Sequence, residues 1–392
     1  MTAFFANPDA MILLTGLLVA LAAALPGCFL VLRGSSLMTD AISHAIVFGI
    51  ALTWLATGFI SGPIQIAGAA AAGLLTVLLI EALTRTRRLN NDAAMGLVFP
   101  TLFAAGVLII NLYAREIHLD TDTVLLGEIA FVWLDTTQIG SMDIPNAVLS
   151  LSVFAALNLG FVLLFWKPLK LAVFDPDFAI LQGLRPGAVL GGLFALTSAT
   201  AVAAFDAVGA ILFVAFVIVP PATAYLLTQR LSVMVTLAAL IGMASALTGQ
   251  QAALVLDVSI GGMMALMTGA FFALALVAAP GKGVIATLLR RRNDRLSFAC
   301  RTLVTHLYSH ADGPRVDEEN AVTALESHLR WSRRQVRPVV LRALDEGLVR
   351  REGPMLVLTE MGAALGRETV ASVAPLIPPR PQSDTQPVPP GA

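Results

Sequence analysis

The sequence predicts an all-α polytopic membrane protein of about nine transmembrane helices, followed by a small soluble α+β domain. Three observations predict it. Hydrophobic residues make up 57% of the chain and charged residues 13%, where a soluble domain carries about 25% charged residues. The apolar residues gather into runs of about 20, the length that crosses a hydrocarbon core. Past Arg292 the pattern turns mixed, polar and periodic. The net charge of -1 supplies no overall field to draw nucleic acid. Cys28 and Cys300 lie in different regions, which excludes a disulfide framework and a thiolate metal cluster. The N-terminus lacks a basic segment and its apolar run is too long for a cleaved signal.

The nine stretches run Ala10 to Leu32, Ser35 to Leu55, Ile64 to Leu83, Ala94 to Tyr113, Asn146 to Trp166, Ala188 to Phe205, Val208 to Thr228, Ser232 to Leu256 and Ile260 to Ala279. The patch Thr123 to Leu134, with Glu128, is too short to span and reads as interfacial or re-entrant. Basic residues set the sidedness. They follow every odd span: Arg33; Arg85, Arg87 and Arg88; Lys167, Lys170 and Arg185; Arg230; then Lys282 and Arg290 to Arg292. The alternate links are poor in Lys and Arg, and the long one, Ala114 to Pro145, is acidic. This places the N-terminus outside and the C-terminus in the cytosol. The division between spans six and seven falls at Asp206 and its neighbours. Merging them would break the charge alternation.

Span two opens Arg33-Gly-Ser-Ser-Leu-Met-Thr-Asp40-Ala-Ile-Ser-His44. Asp40 and His44 are four apart and share one helix face. His44 is expected on the order of 15 Å from Gly34, near mid-bilayer. Ionisable residues at that depth are expensive and functional by default, though a mutual hydrogen bond would also account for the pair. A carboxylate and an imidazole make a partial site for manganese, iron or zinc. Two ligands are too few for a closed site, and a twofold dimer would supply four. Ser43 reads as a small packing residue.

The link after span five holds Asp175, suited to N-capping, Pro176 at the first helical position, and Gly183 with Pro186 as a stop. That predicts a short amphipathic helix offering Phe178, Ile180 and Leu181 for docking. Pro220 and Pro221 in span seven remove backbone hydrogen bonds and kink the helix, as a gate element or as a packing feature. There is no G-x-x-x-x-G-K-[ST] stretch, so ATP hydrolysis is expected on a separate chain.

Taken together these stretches resemble the permease subunits of bacterial manganese/zinc/iron ABC importers (ABC-3 type). The resemblance rests on Asp40-Ala-Ile-Ser-His44 followed by Gly49, on Asp175 to Leu184, and on Val208 to Leu212 with Pro221 to Ala224. It covers roughly residues 10 to 280. It implies that Asp40 and His44 meet the transported metal, and that Asp175, Phe178 and Gly183 couple to the ATPase. It implies no permanently bound cofactor. It also implies a permease homodimer in the plasma (inner) membrane, cytosolic ABC ATPase subunits and an extracytoplasmic metal-binding protein. A permease for a chelated metal (siderophore or cobalamin class) is the first alternative, and a membrane-tethered transcription regulator the second.

On this reading residues 1–293 form the permease domain, 294–371 a soluble domain, and 372–392 a disordered Pro-rich tail. Helices are expected at Leu296 to Ser309 and Glu318 to Leu329. A third opens on a Ser332/Gln335 capping box, with Pro338 where its interior is expected, so that it starts late or bends. A hairpin at Leu348 to Leu358 and a helix capped by Thr359 follow. This order resembles the winged helix of metal-dependent repressors. Arg330, Arg333, Arg334 and Arg337 would share a face of the third helix, the one that enters the major groove in such folds. Basic and acidic residues balance across this domain, so docking on a partner is preferred over DNA. His306 and His310, four apart on the first helix with Cys300 nearby, could sense metal, but two exposed helix histidines are more often solvated.

Overall fold

The computed structural model describes residues 7–35, 37–58, 63–113, 129–139, 142–311 and 320–373. The chain divides into two compact units, Met1–Val284 and Ile285–Ala392.

In the first unit the described residues contain nine helical segments long and apolar enough to cross a membrane. They are α1 (Pro8–Leu32), α2 (Leu37–Thr57), α3 (Pro63–Arg85), α4 (Asn91–Tyr113), α5 (Asn146–Leu164), the two arms of α8 (Pro186–Leu227), α9 (Leu231–Leu256) and α10 (Ile260–Ala278). The short α6 (Trp166–Phe174) and α7 (Pro176–Leu181) lie between α5 and α8. Local chemistry sets the ends. Asn7 accepts the Asp9 N–H at 3.0 Å, with Pro8 opening α1. Gly34, at φ +71°, closes it while the Ser35 N–H donates to the Leu30 carbonyl at 2.9 Å.

The separation of spans six and seven holds, but the break is at Gly209 (φ 76°, ψ 169°) and not at Asp206. A straight helix would hold Phe205 and Phe213 about 12 Å apart along its axis. Their ring centroids are 5.7 Å apart, edge to face, so the chain doubles back. Contacts along the arms agree. Phe194 lies under the Arg33 guanidinium at the end of α1, and Val217 lies against Gly27 a turn and a half earlier. Leu212 faces Gly261 at the start of α10. Only glycine adopts this φ/ψ pair readily.

Pro220 and Pro221 are buried. Pro221 has no N–H to give the Val217 carbonyl. That carbonyl presses on Gly27, where an added Cβ would sit 2.1 Å from the Val217 oxygen and 3.1 Å from Pro221 Cγ. The kink and the glycine are therefore one packing device. Gly27→Ala is expected to cost about 3 kcal/mol, the upper end for overpacking. Thermal unfolding of the detergent-purified chain checks this, and an unchanged midpoint would refute the close approach.

The long acidic link carries a hairpin the sequence did not signal, β1 (Thr136–Ile139) against β2 (Met142–Pro145), antiparallel with Thr136 opposite Pro145. A 3-10 turn at Ile129–Phe131 precedes it. Residues 123–128 of the interfacial patch, with Glu128, lie outside the described residues.

The second unit holds α11 (Val284–Ser309), α12 (Leu325–His328), α13 (Arg333–Asp345), β3 (Val349–Glu352), β4 (Met355–Leu358) and α14 (Glu360–Val373). Cys300, Leu303, Leu307, Leu325, Val336, Val340 and Leu356 are among its core residues. The Ser332/Gln335 capping box is present, and α13 runs through Pro338 without ending. Thr359 Oγ1 accepts the Gly362 N–H at 3.1 Å, opening α14. Two expectations need correction. The first helix starts at Val284, earlier than Leu296. The second is described only over Leu325–His328, because Ala321 bridges to Met355 and the Leu356 N–H donates to the Asn320 carbonyl at 3.0 Å. That pairing takes Asn320 and Ala321 out of the helix, and residues 322–324 form a turn before it. Glu318 and the tail from Pro375 lie outside the described residues.

Candidate functional site

The helix that carries Asp40 and His44 is held by close backbone approaches. Gly49 of α2 meets α3, where an added Cβ would lie 2.6 Å from the Gly68 oxygen and 2.8 Å from Ala69 Cα. Gly106 of α4 would meet the Phe48 nitrogen at 2.7 Å. Small residues at such crossings let membrane helices pack tightly, so Gly49 is a packing residue that positions the pair rather than a donor.

Asp40 Oδ1 and His44 Nε2 are 3.7 Å apart, with side chains 44% and 34% exposed. That is longer than a hydrogen bond but within ion-pair reach when the imidazole is protonated. Asp40 sits in the first turn of α2, where the N-terminal helix dipole favours negative charge. α2 starts at Leu37 and runs 21 residues, so His44 is about 10 Å along it. The Ser43 hydroxyl donates to the Asp40 carbonyl at 2.6 Å and takes no part in the donor set.

Two residues the sequence reading missed hold the imidazole. Phe99 stacks on it, centroids 5.5 Å apart and planes 27° apart, and Phe103 meets it edge-on at 5.9 Å. Their spacing of four on α4 was the available signal. The clamp restrains the ring while both side chains stay part-exposed. Among the described residues no third His, Cys, Asp or Glu completes a metal-holding group around them.

The segment after α6 is built as expected. Asp175 accepts the Phe178 N–H at 2.9 Å. Gly183 (φ +77°) ends α7, with the Leu184 N–H donating to the Ala179 carbonyl and the Gly183 N–H to Ile180, a Schellman stop. Ala179 is buried, while Phe174, Phe178, Ile180 and Leu181 are exposed, Leu181 by 83%. Capped at both ends, this apolar knob has a fixed shape.

Of the four arginines singled out, Arg333 and Arg334 lie on α13 four and three residues before Arg337, and all three are exposed. Arg333 pairs with Glu326 at 3.2 Å. Arg330 precedes α13 with φ +52°. Arg334 lines a cavity of about 420 Å³ with Arg291, Arg292, Arg295 and Trp331. Arg337 is exposed on α13.

The ABC 3 transport family matches residues 10–279, the whole set of membrane helices. The chain belongs to the ABC 3 transport family. Its relatives include the zinc transport system membrane protein TroD of Treponema pallidum (strain Nichols), 40% identical over 357 residues, 91% of this chain and 97% of that protein. The manganese transport system membrane protein MntD of Bacillus subtilis (strain 168) is 43% identical over 286 residues, 73% and 97% of the two chains. An alignment of 357 residues is too long for Met1–Val284 alone. The TroD likeness therefore reaches into the second unit of this ABC 3 family member. Among solved structures, PsaBC from Streptococcus pneumoniae in complex with Fab matches with a TM-score of 0.59 and 27% identity, over 72% of this chain and 98% of that one.

Proposed function

We propose that this chain is the transmembrane permease of an ATP-binding-cassette importer that carries a divalent transition metal, manganese, zinc or iron, across the plasma membrane. The Asp40–His44 pair carries the reading. It is one oxygen and one nitrogen donor on a spanning helix, restrained by aromatic rings and part-exposed. That donor set suits all three metals. Two donors hold an ion loosely, and a second copy of the chain in a homodimer brings the number to four around a central path. Loose coordination lets the ion leave again. The zinc and manganese systems for which TroD and MntD are named support the cargo class.

ATP hydrolysis belongs to separate cytosolic ATPase subunits, which seat on α7 through Phe178, Ile180 and Leu181, with Asp175 and Gly183 fixing the shape of that helix. An extracytoplasmic metal-binding protein delivers the ion to the opposite, acidic side. With the basic links inside, the C-terminus is cytosolic. Pro220 and Pro221 serve packing against Gly27 first, and a gating movement at this kink would have to displace that contact.

Reconstituted vesicles test the proposal. With ATPase and binding protein present, free manganese, zinc or iron should accumulate in an ATP-dependent manner and compete with one another. Accumulation of a siderophore or cobalamin chelate in their place would refute it.

The helix, bridge, helices, hairpin and helix of the second unit support the winged-helix reading. The balanced charge favours regulatory docking over DNA binding. A chain ending at Gly283 is expected to retain at least half of wild-type uptake but lose its response to cytosolic metal. Uptake measured in metal-loaded cells checks this, and loss of transport itself would contradict it.

A further inference from the structure

We infer that His306, His310 and His328 form a second metal-binding site, in the soluble unit, for a divalent ion of the zinc class. The chain has five histidines, and three of them meet here. His306 and His310 lie one turn apart on α11, and His328 ends α12. The ring centroids are 4.6 Å apart for His306–His310, 5.6 Å for His306–His328 and 6.4 Å for His310–His328.

Those spacings suit shared coordination. With a zinc–nitrogen bond of about 2.0–2.1 Å and each nitrogen roughly 1.2 Å from its ring centre, a tetrahedral ion sets ring centres roughly 5 Å apart. As they stand the rings are tilted by 52°, 89° and 59°, and among the described residues no three His, Cys, Asp or Glu are arranged to hold a metal ion. The torsion that turns a histidine ring about Cβ–Cγ is broad and soft. It redirects the nitrogens without moving either helix.

A core role accounts less well for the cluster. His328 is exposed, and His306 and His310 are half-buried. Cys300 is not a member. It is buried, its thiol faces the Val339 carbonyl at 3.6 Å, and burial raises its pKa, disfavouring the thiolate that metals bind.

An ion here would tie α11 to α12. On the transport reading above, it would let imported metal report its cytosolic level to the transporter. Only that consequence rests on the transport reading.

Titration of the purified full-length chain with Co²⁺ tests the site, read by ion stoichiometry and absorption. His328→Ala should lose one ion per chain, or bind it at least about 100-fold more weakly, since even outer-shell changes cost 10–100-fold. His328→Cys replaces one good ligand by another. It should keep the ion and add a thiolate-to-cobalt charge-transfer band absent from wild type. Unchanged stoichiometry and affinity in His328→Ala, or no new band in His328→Cys, would overturn the site. Vesicle uptake by the wild-type chain is a separate readout, so failure of the transport reading is distinguishable.

Discussion

Asp40→Asn and His44→Ala are each expected to lower metal uptake at least about 100-fold, while the chain still assembles with its ATPase. In asparagine the carboxylate charge is gone although the size is kept, and a neutral amide is a poor ligand for a hard divalent ion. The loss has a structural control. His44 packs against Phe99 and Phe103, so alanine also leaves a gap in that clamp. His44→Gln fills more of the space yet lacks the imidazole, and should be as inactive as alanine. If glutamine restores uptake, the ring has a packing role only. Initial uptake rates on matched amounts of assembled transporter measure all three variants.

The second large effect is expected at α7. Gly183→Val places a β-branched residue at φ +77°, where a side chain costs about 1–2 kcal/mol, and breaks the Schellman stop. Phe178→Asp puts a charge on the apolar knob. Together they should release the ATPase subunit on purification, or leave hydrolysis running without transport, with uptake reduced more than about tenfold. Asp175→Ala, which removes the cap alone, should weaken the helix by about 1 kcal/mol and give an intermediate phenotype. Full co-purification with normal uptake in the double variant would show that the ATPase docks elsewhere.

Much of this fold was legible because membrane helices announce themselves by length and composition. Even the antiparallel pair within α8, which had only a few turn residues to mark it, followed from the alternation of basic links. Its pivot was misplaced because Asp206 is the one charged residue in that stretch, whereas the turn depends on the backbone freedom of Gly209. The Asp40/His44 pair was visible from spacing alone, and so was α7, whose Asp-Pro start and Gly stop act locally. What the sequence could not display were contacts between distant segments. Phe99 and Phe103 matter because Gly106 brings α4 close to α2. Gly27 matters because Pro221 frees a carbonyl 190 residues away. His328 was unremarkable until the Ala321–Met355 bridge shortened α12 and its end met α11. The hairpin in the acidic link lacked the alternating apolar pattern that marks a strand.

The central claim is that Asp40 and His44 are ligands in the metal path and that two copies of the chain complete the site. Pulsed electron paramagnetic resonance of Mn²⁺ held in the assembled transporter, in a chain carrying His328→Ala so that the soluble-unit histidines hold no ion, tests this most directly. The account predicts coupling from two equivalent histidine nitrogens, lost in His44→Ala. Bound Mn²⁺ without nitrogen coupling, or coupling that survives in His44→Ala, would contradict it.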